Sequence, residues 1–190
     1  MHIAIGDLYR FEKKYEKAIF YYSKFINLEK VNSNEISHTL YLRGICYERL
    51  LKWDLGETDF LQSLKIKPDS PDVLNYLAYS WLERDLNLDK ATNMLIKAYK
   101  VKPESYYILD SLAWAYYKKN DYVKAAKLME KVISLAPGEA ISLDHLGDIY
   151  FSMKRKREAI YLWKQALDLS QPIDDIEESI NKKIKKNDVR

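Results

Sequence analysis

Three histidines, one cysteine and a short acidic cluster are the side chains of this sequence that reaction chemistry could use first. Asp144, His145 and Asp148 stand at i, i+1 and i+4, so on a helix they can approach one another. Two carboxylates and one imidazole make at best part of a metal site, because such sites need several converging ligands. His2 and His38 are remote from His145 in sequence, and no His-Glu-x-x-His pair occurs. Neither a glycine-rich phosphate loop nor a nucleophile motif is present. Cys46, the only cysteine, sits in an apolar pattern and reads as a small buried hydrophobe. The run Lys154-Arg155-Lys156-Arg157 and the basic C-terminal tail could attract phosphate, yet the run falls between two helical patterns, where charge is ordinarily solvated. These residues favour no catalytic centre, no resident metal, no cofactor and no nucleic-acid partner.

Whatever chemistry the side chains do must be positioned by a repeat. Small residues recur at Gly6, Gly44, Ala78, Ala113 and Gly147, in steps of 38, 34, 35 and 34. A second series, Ala18, Gly56, Ala91, Ala125 and Ala159, lags the first by 12 or 13 residues. Periods of this size belong to solenoids, propellers and arrays. Such arrays usually work by presenting a surface.

One unit shows the internal pattern. Leu109, Leu112, Ala113 and Tyr116 lie at i, i+3, i+4 and i+7, a single helix face. Lys118-Lys119-Asn120-Asp121 is a polar turn, with Asp121 placed to cap the next helix. Ala125, Met129 and Val132 stripe that second helix, which stops near Pro137. The spacing predicts a helical hairpin, repeated with Tyr22, Phe60, Leu95 and Trp163 where this unit has Met129. Ser70-Pro71-Asp72 is a helix start, with a capping serine, proline in the first turn and an acid near the positive helix end. The small residues mark where the two helices of a hairpin touch, Gly44 against Gly56 or Ala113 against Ala125.

Composition agrees with an ordered all-α chain. The 190 residues are 47% hydrophobic and 31% charged with only 5 Gly and 5 Pro, too few turn residues for an all-β protein. No apolar run approaches the ~18–20 residues of a membrane span, and the N-terminus lacks the basic segment and apolar core of a signal peptide. The expectation is a soluble protein without membrane insertion, its compartment open. A net charge of +3 is too small to imply nucleic acid by itself.

The recurring order of aromatic or leucine, Leu-Gly, Tyr, Ala, aromatic, Ala and Pro resembles the tetratricopeptide repeat. The segments LNYLAYSWLERD (74–85), LDSLAWAYYK (109–118), LDHLGDIY (143–150) and WKQALDL (163–169) are similar to the terminal repeats of bacterial, especially proteobacterial, proteins of that family. The resemblance implies a right-handed α-solenoid of five hairpins, a non-enzymatic scaffold that binds proteins or peptides. Repeats fall at about 1–30, 37–70, 71–105, 106–139 and 140–171, and residues 172–190 form a capping helix with a basic tail. In that helix Ile173, Ile176, Ile180 and Ile184 make an apolar stripe, with Asp174, Asp175, Glu177 and Glu178 early and Lys182, Lys183, Lys185 and Lys186 late. The charge order complements a helix dipole.

In this family the first helix of each hairpin lines the concave surface. That implies a groove offering Tyr41 from the second repeat, beside His38, Ile45 and Glu48. The third adds Asn75, Tyr76 and Tyr79; the fourth Tyr107, Asp110, Trp114 and Tyr117; the fifth Asp144, His145, Asp148 and Phe151. Such a lining, aromatic and acidic, suits an extended peptide carrying Lys or Arg beside apolar or proline side chains. The plainer alternative is that these rings stack helix on helix. The lysine–arginine–asparagine clamp for a C-terminal carboxylate and the asparagine ladder of sugar-transferase arrays are both absent.

Departures from the period carry their own expectations. The leading helix of the first unit begins only a few residues before Gly6, which favours an array cut inside a repeat over a natural start. The clipped repeat could also self-associate. A second possibility is that the chain is the C-terminal regulatory or targeting region of a larger enzyme or assembly factor. The long step to Gly44 is assigned to about four extra residues in a polar loop over Lys30–Ser37, and the one-residue insertion in the third unit to Arg84–Asp89.

Overall fold

Every regular element that a computed structural model of the chain describes, over residues 2–28, 31–171 and 175–187, is an α-helix. The chain divides into two compact units, Met1–Leu77 and Ala78–Arg190. The first holds α1 (His2–Phe11), α2 (Tyr15–Ile26), α3 (Ser33–Arg49), α4 (Trp53–Ile66) and the start of α5 (Pro71–Glu83). The second holds the end of α5, α6 (Leu88–Val101), α7 (Tyr106–Lys118), α8 (Tyr122–Leu135), α9 (Ala140–Ser152), α10 (Lys156–Leu169) and α11 (Glu177–Asn187). In the first unit α1 packs on α2, α2 on α3 and α3 on α4. In the second, α6 to α11 each pack on the next in chain order.

The turns inside the hairpins share one conformation. Lys13, Leu51, Asp85, Asn120 and Lys154 all take positive φ, between 53° and 67°. The next backbone N–H then reaches back to a carbonyl five residues earlier: Lys14 to Tyr9, Lys52 to Tyr47, Leu86 to Trp81, Asp121 to Tyr116 and Arg155 to Tyr150, at 2.8–3.0 Å. This left-handed closure satisfies carbonyls that a helix end leaves orphaned. None of the five is a glycine. The insertion near Arg84–Asp89 is a second left-handed residue, Asn87 at φ 49°. Asp121 caps α8 as the sequence predicts, accepting from the Lys124 amide at 3.2 Å.

Gly6, Gly44 and Gly147 are helical, and their missing side chains make room for rings. A Cβ on Gly6 would stand 2.5 Å from the Tyr22 ring, one on Gly44 2.6 Å from Phe60, and one on Gly147 2.5 Å from Trp163. Where the ring is replaced by Leu95 or Met129, the small residue is Ala78 or Ala113. Small-residue contact is therefore only part of the account read from sequence. Gly56 does meet the Gly44 carbonyl, 3.0 Å from a built Cβ, but on the Gly44 side an aromatic ring occupies the gap.

Two expectations need correction. The polar segment before Gly44 is largely helix: Asn32 caps α3 by accepting from the Asn34 amide at 2.8 Å, Glu35 sits in the first turn, and α3 runs 17 residues. The extra residues lengthen the helix rather than a loop; Lys30 lies outside the described residues. The last helix begins at Glu177, and Asp175 ahead of it is left-handed (φ 53°); Ile173, where the apolar stripe was expected to open, lies with Pro172 and Asp174 outside the described residues. What remains of its stripe is sound. Ile180 is fully buried with Leu143, Ala159, Trp163 and Ala166, and Ile176 and Ile184 pack at the edge of that cluster. α11 thus covers the end of the last hairpin as a leading helix of a further repeat would.

Two further cores each join one hairpin to the leading helix of the next. Ala18, Tyr22, Leu42 and Cys46 form one in the first unit; Leu109, Ala113, Ala125, Met129, Val132, Leu146 and Ile149 form one in the second. No helix among the described residues is long and apolar enough to cross a membrane.

Candidate functional site

The second unit gathers most of the aromatic and acidic residues singled out in the sequence onto α7 and α9. Equivalent positions on successive leading helices are neighbours there, so a side chain on α9 meets one about a repeat earlier on α7. Ser142 Oγ donates to Asp110 Oδ1 at 2.7 Å, and His145 Nδ1 lies 3.0 Å from Asp110 Oδ2. The His145 ring also stacks on Trp114 (centroids 4.2 Å, 19°), whose other neighbour in the stack is Tyr117 (4.5 Å, 18°). Trp114 Nε1 donates to Glu83 on α5 at 2.8 Å.

Burial differs across the set. Asp110 and Trp114 are 8% exposed and His145 7%, and each is engaged within the fold. Burial favours the neutral imidazole, but the charge and hydrogen bond of Asp110, with Asp144 and Asp148 behind it, outweigh that and raise the His145 pKa. Burial pushes the Tyr79 phenol up, helped by Glu83, Asp110 and Asp144, so it stays neutral. Tyr107, by contrast, is 41% exposed, and Tyr117 and Phe151 are half-buried at the surface.

The acids of α9 have a partner the sequence reading did not assign. Lys183, on α11, sends its ammonium to Asp144 at 2.7 and 2.9 Å and to Asp148 Oδ2 at 2.8 Å. The same ammonium lies 5.7 Å from the centre of the Trp163 ring, and Trp163 Nε1 donates to Asp148 Oδ1 at 3.1 Å. Burial and the neighbouring Asp144 raise the Asp148 pKa, with Lys183 offsetting part of the rise. Burial works against the charged Lys183, yet Asp148 and Asp144 hold its pKa above the usual lysine value. A cavity of about 380 Å³ opens beside this cluster, lined by Tyr117, Asp148, Phe151 and Trp163 on one side and by Ser179, Lys183 and Lys186 of α11 on the other.

Lys183 was legible in outline. Ile180 and Ile184 stand 34 residues after Leu146 and Tyr150, so α11 occupies the register of a sixth leading helix. A lysine in that helix, on the side of the α9 acids, is the natural counter-ion. Glu83 and Ser142 gave no such signal.

The first unit holds Tyr41, Asn75 and Tyr76. Tyr41 and Tyr76 meet edge to face (5.9 Å, 82°), both against Phe60, and Tyr76 donates to Glu48 at 3.3 Å. The Asn75 carboxamide oxygen is buried without a hydrogen-bond partner among the described residues. His38 and Tyr41 help line a second cavity of about 210 Å³, with Ser37, Lys67 and Asp72.

Catalytic geometry does not emerge from these groups. Ser142, His145 and Asp110 have the residue types of a nucleophilic triad, but the hydroxyl donates to the carboxylate instead of to the imidazole, so nothing activates it. Asp144 and Asp148 turn to Lys183 while His145 turns to Asp110, so the trio does not converge on a common point. Among the described residues, no group of three or more His, Cys, Asp or Glu side chains could hold a metal ion. In the basic run, Arg155 is held by Glu158 (2.9 Å) and lies over the Tyr150 ring (3.5 Å) at the hairpin turn.

Comparison with known proteins places the chain in context. Sequence profiles described as tetratricopeptide repeat match residues 1–32, 106–139 and 140–171. Among solved structures, a thermophilic tetratricopeptide protein of Thermus thermophilus is similar over 95% of this chain and 96% of its own, at 16% identity and a TM-score of 0.74. MamA of AMB-1 is similar over 88% and 96%, at 20% identity and 0.69. A Parabacteroides merdae tetratricopeptide protein is similar over 90% of this chain and 65% of its own, at 19% and 0.73. At these identities the likeness is one of fold.

Proposed function

The chain belongs to the tetratricopeptide repeat family, whose domains typically mediate protein–protein interaction, and on that footing we propose that its second unit captures a partner segment carrying a cation beside apolar side chains. The observation that carries this reading is the seat of Lys183. An ammonium is held there by Asp144 and Asp148, beside the indole of Trp163. Charge-assisted bonds of this kind are stronger than neutral ones, and a ring face adds attraction for the cation. Tyr117 and Phe151, which line the cavity beside that seat, offer ring surface, at low entropic cost, to the neighbouring side chains of a ligand. Asp110, Trp114 and His145 act behind them, holding α7 and α9 in register.

Fluorescence anisotropy with labelled lysine–leucine peptides and their glutamate counterparts tests the reading. Basic peptides bind, more weakly as salt rises, and acidic ones do not. Tyr117→Ala and Phe151→Ala each weaken binding about tenfold, a loss of ~1.4 kcal/mol, with circular dichroism unchanged. Equal binding of both peptide signs, or no effect of either variant, would sink it. Asp110→Lys and Trp114→Ala are poor probes, since both disturb buried partners.

A second reading has its own observation. Leu8, Phe11 and Phe20 on the first hairpin are 65%, 75% and 53% exposed, large apolar side chains open to contact with a second copy. Light scattering tests it: Phe11→Ser with Phe20→Ser abolishes any dimer, and a monomeric wild type disproves it.

A further inference from the structure

α11 is the least apolar of the helices that pack in the second unit. Its sequence, EESINKKIKKN, buries only Ile180, where α7, α8 and α9 each bury four or more residues. Its charged hold is concentrated at one point. Lys182 pairs with Glu178 of its own helix, and Lys185 and Lys186 are exposed, but Lys183 reaches across to both acids of α9. An additional contact, Ser170 Oγ to Glu177 at 3.2 Å, lies at the start of the helix.

The acids cannot easily be left without a cation. Asp144 and Asp148 lie one turn apart, their side chains 11% and 18% exposed, and the mutual repulsion of two such carboxylates grows as water is excluded. Whatever displaces α11 must therefore bring its own cation to the same place. It must also bring an apolar side chain for the site of Ile180, which would otherwise leave a hole over Leu143, Trp163 and Ala166. Ile180, Lys183 and Ile184 fall at i, i+3 and i+4, one face of a helix.

We propose that α11 is an intramolecular occupant of the partner site, and that the partner it excludes is an amphipathic helix presenting an Ile-x-x-Lys-Ile face. This rests on the reading that the second unit's acidic, ring-lined face binds partners, and it adds the conformation and the pattern of what binds. The apparent affinity for such a helix is reduced by the fraction of molecules whose own α11 is in place. Lys183 sets that fraction.

The test uses the full-length chain and a labelled synthetic peptide of residues 175–187. Wild type binds the peptide weakly. Lys183→Glu, whose own helix now repels the acids, binds it at least about tenfold more tightly, and hydrogen exchange shows the α11 amides losing protection while α7 to α10 keep theirs. Lys183→Gln is the milder companion, moving both readouts the same way if the glutamate variant misfolds. A peptide with glutamate at the position of Lys183 does not bind, and Asp144→Asn with Asp148→Asn removes binding of the parent peptide. Unchanged α11 protection in both Lys183 variants overturns the proposal, as does unchanged peptide affinity. If lysine–leucine peptides bind equally well to wild type and Lys183→Glu, this inference fails while the binding face stands. If neither protein binds any basic peptide, both fail.

Discussion

His145 Nδ1 lies 3.0 Å from a carboxylate oxygen of Asp110, joining two successive leading helices through a buried ion pair. Because its folded pKa is raised, by Asp110 chiefly and against the effect of burial, the protonated ring is favoured in the fold over the unfolded chain. The linked stability is fully present below the unfolded histidine pKa of about 6.5 and is lost as pH rises through the folded value. Asp148, also raised, acts in the same direction at lower pH. The expected result is a melting temperature that falls from mildly acidic to mildly alkaline pH, with a shallower fall in His145→Gln. Differential scanning calorimetry across that range checks it; identical slopes would disprove it.

The pairing of Gly44 with Phe60 predicts a compensating double mutant. Gly44→Ala alone forces a methyl into the ring, 2.6 Å away, and overpacking should cost about 1–3 kcal/mol. Phe60→Met alone removes packing and opens space. Together they recreate the Ala113–Met129 pair, so their costs should fall short of additivity by about 1 kcal/mol or more. Urea unfolding of the four proteins measures this, and simple additivity would contradict the assignment.

Leu51 is held at φ 60° and is 88% exposed, so its side chain gains little from packing in exchange for a backbone region that L-residues avoid. Leu51→Gly should stabilise the chain by about 0.5–1 kcal/mol, since the native conformation there suits glycine. A lower denaturation midpoint for the variant would count against this account of the turns.

Cys46 is fully buried beside Ala18, Tyr22 and Leu42, and burial pushes its thiol up to about 12. The thiolate being the reactive form, a disulfide reagent should leave the native protein unmodified near neutral pH and react once in strong denaturant. Prompt reaction of the native chain would show an opening that the packing does not imply.

Much of the fold was readable because its determinants are local and periodic. The Ala113 and Ala125 stripes, the Asp121 cap and the Ser70-Pro71 start each act within a few residues, and the structure places helices where they predict. The exceptions have physical causes. Polar Ser33-Asn34-Glu35 has a loop's composition yet is helical because Asn32 caps it, and the reason for glycine at 6, 44 and 147 depends on which side chain sixteen residues later fills the gap. The candidate site was less legible for a different reason. Asp110, Trp114 and Asp144 were correctly assigned to leading helices, but helix position does not say whether a polar group faces solvent or a neighbour. Their partners Ser142, Glu83 and Lys183 each stand on a different helix from the residue they hold, and only packing brings them together.

The correspondence between glycine and ring, or alanine and aliphatic side chain, has a consequence for how such arrays can change. Each small residue is matched to a partner on the second helix of its own hairpin, so the hairpin travels as one inheritable piece. Recombination that exchanged whole hairpins would preserve every match. A crossover inside one, pairing Ala113 with Trp163 or Gly147 with Met129, would create a clash or a void in a single step. The turns, with their shared left-handed residue, are the joints least suited to cutting; the breaks should fall between hairpins.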